Sequence, residues 1–273
     1  MEVKKELQRE YDPAHPNFGR WQKAREISKE RAGFVESLIS ENLDLEKLLI
    51  LDLGAGEGVT SILLSKKNIV VSVEPKKDRI KKIPVSGSLK PIMADSSNLP
   101  FKNSVFDLII LQDVIEHLIV SEKFVDALKN ILKANRLIYI STPNKFSFIN
   151  IISDPHWGMP LLCLFKRKQI KKLFLKYFRR SDFNRDDIAE LLSLKDILKL
   201  FRENFSIKLN TKFSTEFLLN GGKGLVWSKF HILLIKYLKI FGLSGLIKRI
   251  ANDEKGFLNK YLTPTFYLIL KKK

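Results

Sequence analysis

The stretch "LLILDLGAGEGVTSILLSKKNIVVSVEP", Leu48 to Pro75, starts as a buried strand, breaks into glycines and closes on a second strand ending in Glu74. Between the strands a helix fits near Val59–Ser65. Glycines at such a turn let the backbone approach a ligand closely, and the helix behind them aims free N–H groups at a carboxylate or phosphate. The glycines are Gly54, Gly56 and Gly58, a G-x-G-x-G spacing that departs from the dinucleotide fingerprint G-x-G-x-x-G. A carboxylate at Glu74 can accept a hydrogen bond from each hydroxyl of a ribose, which suits a nicotinamide or an adenosyl cofactor equally.

Working outward, short β-rich runs alternate with helical segments. Strands are expected at Leu48–Leu53, Ile69–Val73, Pro91–Ala94, Phe106–Leu111, Leu137–Ser141, Ser206–Thr211 and the terminal "TPTFYLILKKK". Helices fit near Trp21–Ile39, Lys76–Lys82, Glu122–Leu132 and Leu194–Asn204. This alternation predicts an α/β fold with a doubly wound, mostly parallel seven-stranded sheet. An N-terminal helical extension, 1–31, precedes one domain, 32–273. That domain carries an acceptor-side basic segment at 145–185 and a helical insertion at 220–262 before the last strand.

The 273 residues can bury a sizeable core, and a 45% hydrophobic content reads as globular. A single cysteine, Cys163, excludes an intrachain disulfide and a cysteine-based metal cage. The charged opening "MEVKKELQREYDPAHP" predicts no secretory signal, and the chain is expected in the cytoplasm, with a membrane surface as a further site. The net charge of +18 is unevenly spread. From Pro160 onward 25 Lys and Arg stand against nine Asp and Glu, a net of +16, against +2 for the remainder.

The ends of the third and fourth strands discriminate between cofactors. "MADSSNLPF" puts Asp95 where ligands of such sheets sit, able to accept from an adenine amine. "FDLIILQDVIEHL" adds Gln112, Asp113, Glu116 and His117 at the same edge. With "ILDLGAGEG", "VEP" and "LKANRLIYISTPN", these runs resemble the successive motifs of class I S-adenosylmethionine-dependent methyltransferases. The resemblance spans roughly Ala32–Asn144, nearest to the branch of ubiquinone-biosynthesis O-methyltransferases and glycan-modifying relatives. "LKANR" departs from the Pro-Gly-Gly usual before the fifth strand.

The resemblance implies S-adenosylmethionine as cofactor. Gly54 and Gly56 would underlie its methionine part, with Asp52 tethering the amino group. Glu74 would hold the ribose, Asp95 and Ser96 the adenine, and Gln112 would lie near the methyl donor. His117, with Glu116, is the candidate base for a hydroxyl acceptor. If a helix begins there, Asp113, Glu116 and His117 share one face and could hold a divalent ion, or simply fix the loop; no residue is assigned to a metal. In "SDPHWGMP", His156 and Trp157 are candidate acceptor contacts. His15 is a further candidate, and Arg31 could meet the methionine carboxylate.

The expected activity is O-methylation of a small-molecule, glycan or lipid-linked acceptor. The Asn/Asp-Pro-Pro-aromatic sequence of base N-methylation is absent. The apolar, lysine-dotted Val226–Ile250 suits an anionic membrane surface, a lid or a dimer face, and is too charged to span. "FKRKQIKKLFLKYFRR", with eight basic residues, would suit nucleic acid, so an RNA-directed methyltransferase is an alternative. A catalytically inactive scaffold that binds the cofactor is another.

Overall fold

A computed structural model describes residues 11–95, 99–222, 225 and 229–273. Its seven strands are β1 (Leu49–Leu53), β2 (Ile69–Val73), β3 (Leu89–Ile92), β4 (Phe106–Gln112), β5 (Leu132–Pro143), β6 (Phe205–Leu209) and β7 (Thr265–Lys272). They form one sheet in the order β3-β2-β1-β4-β5-β7-β6, the doubly wound arrangement expected. β7 runs antiparallel to β5 and β6, while β1–β2, β2–β3 and β4–β5 pair in parallel. The chain divides into two compact units, Met1–Met93 with Lys212–Asn252, and Ala94–Thr211 with Asp253–Lys273.

In the first unit the expected helix Trp21–Ile39 is two helices, Phe18–Glu26 and Ser28–Ser40, which break at Ile27. The second buries Ala32, Phe34, Val35, Leu38 and Ile39. Phe34 meets Phe217, of helix Thr211–Leu219, edge-on at 5.0 Å. β3 ends two residues earlier than expected, at Ile92, which is itself exposed. His15 is buried, stacks on Trp21 at 4.6 Å and accepts a hydrogen bond from the Asn17 N–H, so it staples the chain entry.

In the second unit Leu108, Ile109, Ile110 and Leu111 are all fully buried, as a strand covered on both faces requires. Helix Glu122–Ile131 starts at Ser121, whose hydroxyl accepts from the Phe124 N–H. β5 is longer than expected because "LKANR" continues the strand. Asn135 takes the left-handed conformation (φ 57°), which asparagine tolerates better than most residues, in place of a glycine. Lys133 and Arg136 flank it and both pair with Asp107, at 2.9 and 3.1 Å. The basic run is helical from Arg167 to Phe178, with a π-turn over Ile170–Leu175. Its Ile170, Phe174 and Leu175 pack with Trp157, Leu162 and Ile188 in a satellite core. Cys163 is buried, which pushes its thiol up to about 12 and removes it from thiolate chemistry.

Candidate active site

The glycine turn of the first unit takes three positive φ angles, 75° at Gly54, 59° at Gly56 and 77° at Gly58. Gly58 has a structural reason to be glycine. A Cβ there would lie 2.6 Å from Ile83 Cγ1. At Gly56 a Cβ would meet nothing within 4 Å, so the backbone borders open space. That opening is what a ligand passing close to the main chain needs.

Two buried carboxylates brace the turn. Glu74 Oε2 accepts from the Gly56 N–H at 2.9 Å and Oε1 from the Lys76 N–H at 3.0 Å. Burial raises its pKa, against the opposing pull of Arg79 and those two N–H bonds. Asp52, at the core of β1, accepts from Ser61 Oγ at 2.5 Å, and Ser61 accepts in turn from Ser72 Oγ at 2.7 Å. Burial pushes Asp52 up to about 6, with the Glu74 charge adding to the rise and the Ser61 bond opposing it. A carboxyl held this way ionises readily once a cation arrives beside it.

In the second unit the run after β4 is a tight turn instead of a helix, and the next helix waits until Glu122. This corrects the expected shared face. Asp113 sits at φ 55° and its Oδ1 accepts from Ser141 Oγ at 2.8 Å, tying it to β5. The His117 N–H closes the turn onto the Val114 carbonyl. Glu116 is 1% exposed and its Oε2 accepts from Thr142 Oγ1 at 2.9 Å.

The third member of the cluster comes from the "SDPHWGMP" loop. Asp154 Oδ1 accepts from the N–H groups of both His156 and Trp157, which folds the loop back. His156 Nε2 then lies 4.0 Å from Glu116 Oε1, and its ring meets that of His117 edge-on at 5.2 Å. Ligand atoms of Glu116, His117 and His156 all lie within 4.8 Å of one another. Sequence spacing grouped Asp113 with Glu116 and His117; the structure substitutes His156.

His117 Nδ1 is 2.8 Å from the Asp187 carbonyl oxygen. A carbonyl only accepts, so Nδ1 carries a hydrogen, and in the neutral ring the lone pair is on Nε2. Arg185 fixes Asp187 at 2.7 Å. Arg167 holds the turn itself, donating to the carbonyls of Ile188 (2.6 Å), Glu116 (3.1 Å) and Leu118 (3.2 Å). Sequence reasoning missed Arg167 because it is one of eight cations in a run, and only tertiary contacts single it out. Trp157 is 4% exposed and packs on Phe174, so it supports the His156 loop from the core. Gln112 ends β4 half-buried, Asp95 is exposed, Arg31 is half-buried on its helix, and Ser96 lies outside the described residues.

A family model described as "Methyltransferase domain" matches residues 24–202. Three solved structures show the same fold at low identity. A S-adenosylmethionine-dependent methyltransferase from Mesorhizobium loti is 10% identical, with TM-score 0.55 over 87% of this chain and 96% of that one. A methyltransferase from Thermotoga maritima, described as a possible histamine N-methyltransferase, is 14% identical, with TM-score 0.54 over 100% and 99%. The Haloferax volcanii complex of the Trm112 activator with a methyltransferase gives 11%, TM-score 0.55, 93% and 97%. No curated protein sequence matches.

Proposed function

This chain belongs to the methyltransferase-domain family, and from that premise we propose that it is a S-adenosylmethionine-dependent O-methyltransferase. The observation that supports this most is the glycine turn, with open space at Gly56 beside the buried carboxylates of Asp52 and Glu74. Asp52, Gly54, Gly56 and Glu74 would hold the methionine and ribose parts. Asp95, Ser96 and Gln112 keep the roles that the family resemblance implies. When bound, the cofactor supplies an electrophilic methyl on a sulfonium.

The protein's own part is positioning and proton transfer. In-line alignment can supply roughly 7–11 kcal/mol of the barrier. A general base adds about 10²–10⁴-fold. His117 Nε2, its hydrogen held on the far nitrogen by Asp187, takes the proton of an acceptor hydroxyl. The buried Glu116 carboxylate favours the imidazolium that results. The test is methyl transfer from a labelled donor into glycan and lipid extracts. His117→Gln is expected to lower the rate by about 10²-fold with the affinity for S-adenosylhomocysteine unchanged. An unchanged rate would refute the assignment.

The cluster of Glu116, His117 and His156 supports a second reading, a divalent cation that orients the acceptor oxygen. Two imidazoles and a carboxylate suit such an ion, and the Asp187 carbonyl is the outer partner that metal-bound histidine ordinarily has. Loss of activity on chelation, restored by one divalent ion, would favour it; indifference to chelation would leave His117 as the base.

For localisation, we propose contact with an anionic membrane surface through helices Lys229–Ile240 and Ser244–Ile250. Ile232, Leu233, Tyr237, Ile240, Leu246 and Ile250 are exposed there among Lys236, Lys239, Lys248 and Arg249. Among the described residues no helix is long and apolar enough to cross a membrane. Failure to sediment with anionic vesicles would exclude this contact.

A further inference from the structure

The second unit contains a cavity of about 530 Å³ whose lining includes five cations and no carboxylate. Helix Leu194–Phe201 supplies one wall. Lys195, Leu198, Lys199 and Arg202 follow the i, i+3, i+4, i+7 spacing and so share a face. Lys255 and Lys260, with Phe146 and Tyr261, complete the charged and aromatic lining.

Some cations elsewhere are matched. Lys82 pairs with Glu57, Lys67 with Glu46, and Lys133 and Arg136 with Asp107. The neighbouring cavity of about 730 Å³, which shares Lys199, offsets its lysines with Glu122, Glu190 and Asp196. In the smaller cavity, among the described residues, none of Lys195, Lys199, Arg202, Lys255 and Lys260 makes an ion pair. Converging like charges repel, and an arrangement without counter-charge is matched by an anionic ligand.

The cavity is also built. Asn144, fully buried at the end of β5, accepts from the Phe146 N–H at 3.1 Å. Its Nδ2 lies within hydrogen-bond reach of the carbonyls of Asn259 (3.3 Å), Lys260 (3.0 Å) and Thr263 (2.8 Å). One side chain thus sets Phe146 and the Lys260 segment together. Asn259 is buried beside it and accepts from Thr211 and Thr263.

From this geometry we infer that the cavity is a diphosphate-binding subsite. The phosphates lie among Lys195, Lys199, Arg202, Lys255 and Lys260, and a ring or apolar group rests on Phe146 and Tyr261. The inference deepens the methyltransferase reading, and rests on it only in taking the ligand for the methyl acceptor.

Calorimetric titration with inorganic pyrophosphate tests the site directly. The wild-type chain is expected to bind, with affinity falling as salt rises. The double variant Lys199→Ala/Lys260→Ala is expected to lose at least about tenfold, whereas Lys123→Ala, in the neighbouring cavity, leaves binding unchanged. These side chains are exposed, so the fold should survive, and an unchanged melting temperature checks that. No pyrophosphate binding, or equal loss in the control, overturns the inference.

Uridine diphosphate and vesicles containing farnesyl diphosphate then separate a soluble from a lipid-linked source. A single-stranded RNA bound more tightly than either, and lost in the same variant, would overturn it in favour of nucleic acid. S-adenosylhomocysteine titrated in the same samples separates the two readings. Binding of pyrophosphate without it leaves the subsite and sinks the methyltransferase, and the reverse sinks only the subsite.

Discussion

Lowering the pH from 8 to 5 should weaken binding of S-adenosylhomocysteine through Asp52. That carboxyl is pushed up to about 6, chiefly by burial. If its ionised form holds the ligand's ammonium, the free protein must lose a proton to bind. At pH 5 about one molecule in eleven is already ionised, so affinity should fall about tenfold, with little change between pH 7 and 8. Asp52→Asn should abolish this slope.

The stability of the unliganded protein should move the other way. A carboxyl whose pKa is raised on folding contributes stability that is present below pH 3.8 and lost as pH climbs through about 6. Asp52→Asn should therefore stabilise the protein at pH 8 by up to about 3 kcal/mol, and by almost nothing at about pH 3. Calorimetry across pH, with denaturant melts of the same samples, reads both. A pH-independent affinity, or a slope that survives in Asp52→Asn, would refute the assignment of Asp52 to the ligand.

The glycines should separate by variant. Gly58→Ala combines a positive φ with the Ile83 collision and should cost about 2–4 kcal/mol of stability. Gly56→Ala carries only the φ penalty, about 1–2 kcal/mol, yet should impair ligand binding more; urea melts beside calorimetry decide, and equal binding losses would contradict the reading. Arg167→Ala removes a charged donor from three carbonyls and should cost about 1.5–3 kcal/mol. Because it frees the turn carrying His117, methyl transfer should fall further than ligand affinity, and equal loss of both would make it merely structural. Iodoacetamide should leave Cys163 unmodified in the folded state at neutral pH, since burial keeps the thiol protonated.

The sheet was legible because its strands are apolar runs separated by turns, and the order of motifs carries the topology. Leu108–Leu111 announced full burial directly. Local spacing failed where tertiary contacts decide. It suggested a helix at Asp113–His117, but Asp113 is held in a left-handed turn by Ser141, and the helix waits for the Ser121 cap. His156 lies 40 residues from Glu116 in the chain, so no local pattern could join them; the Asp154 turn does. Trp157, read as an acceptor contact or part of a surface loop, is buried and packs on Phe174, a tertiary contact that no local pattern shows. The basic excess was visible as composition. Its division into a matched cavity and an unmatched one depends on where Glu190 and Asp196 fall in space.

The central claim is tested most directly by titrating the purified chain with S-adenosylhomocysteine beside NADH, with Glu74→Ala and Asp95→Ala as variants. Micromolar binding of S-adenosylhomocysteine alone, weakened in both variants, is the expected result. A folded protein that binds neither, or binds NADH instead, would contradict it.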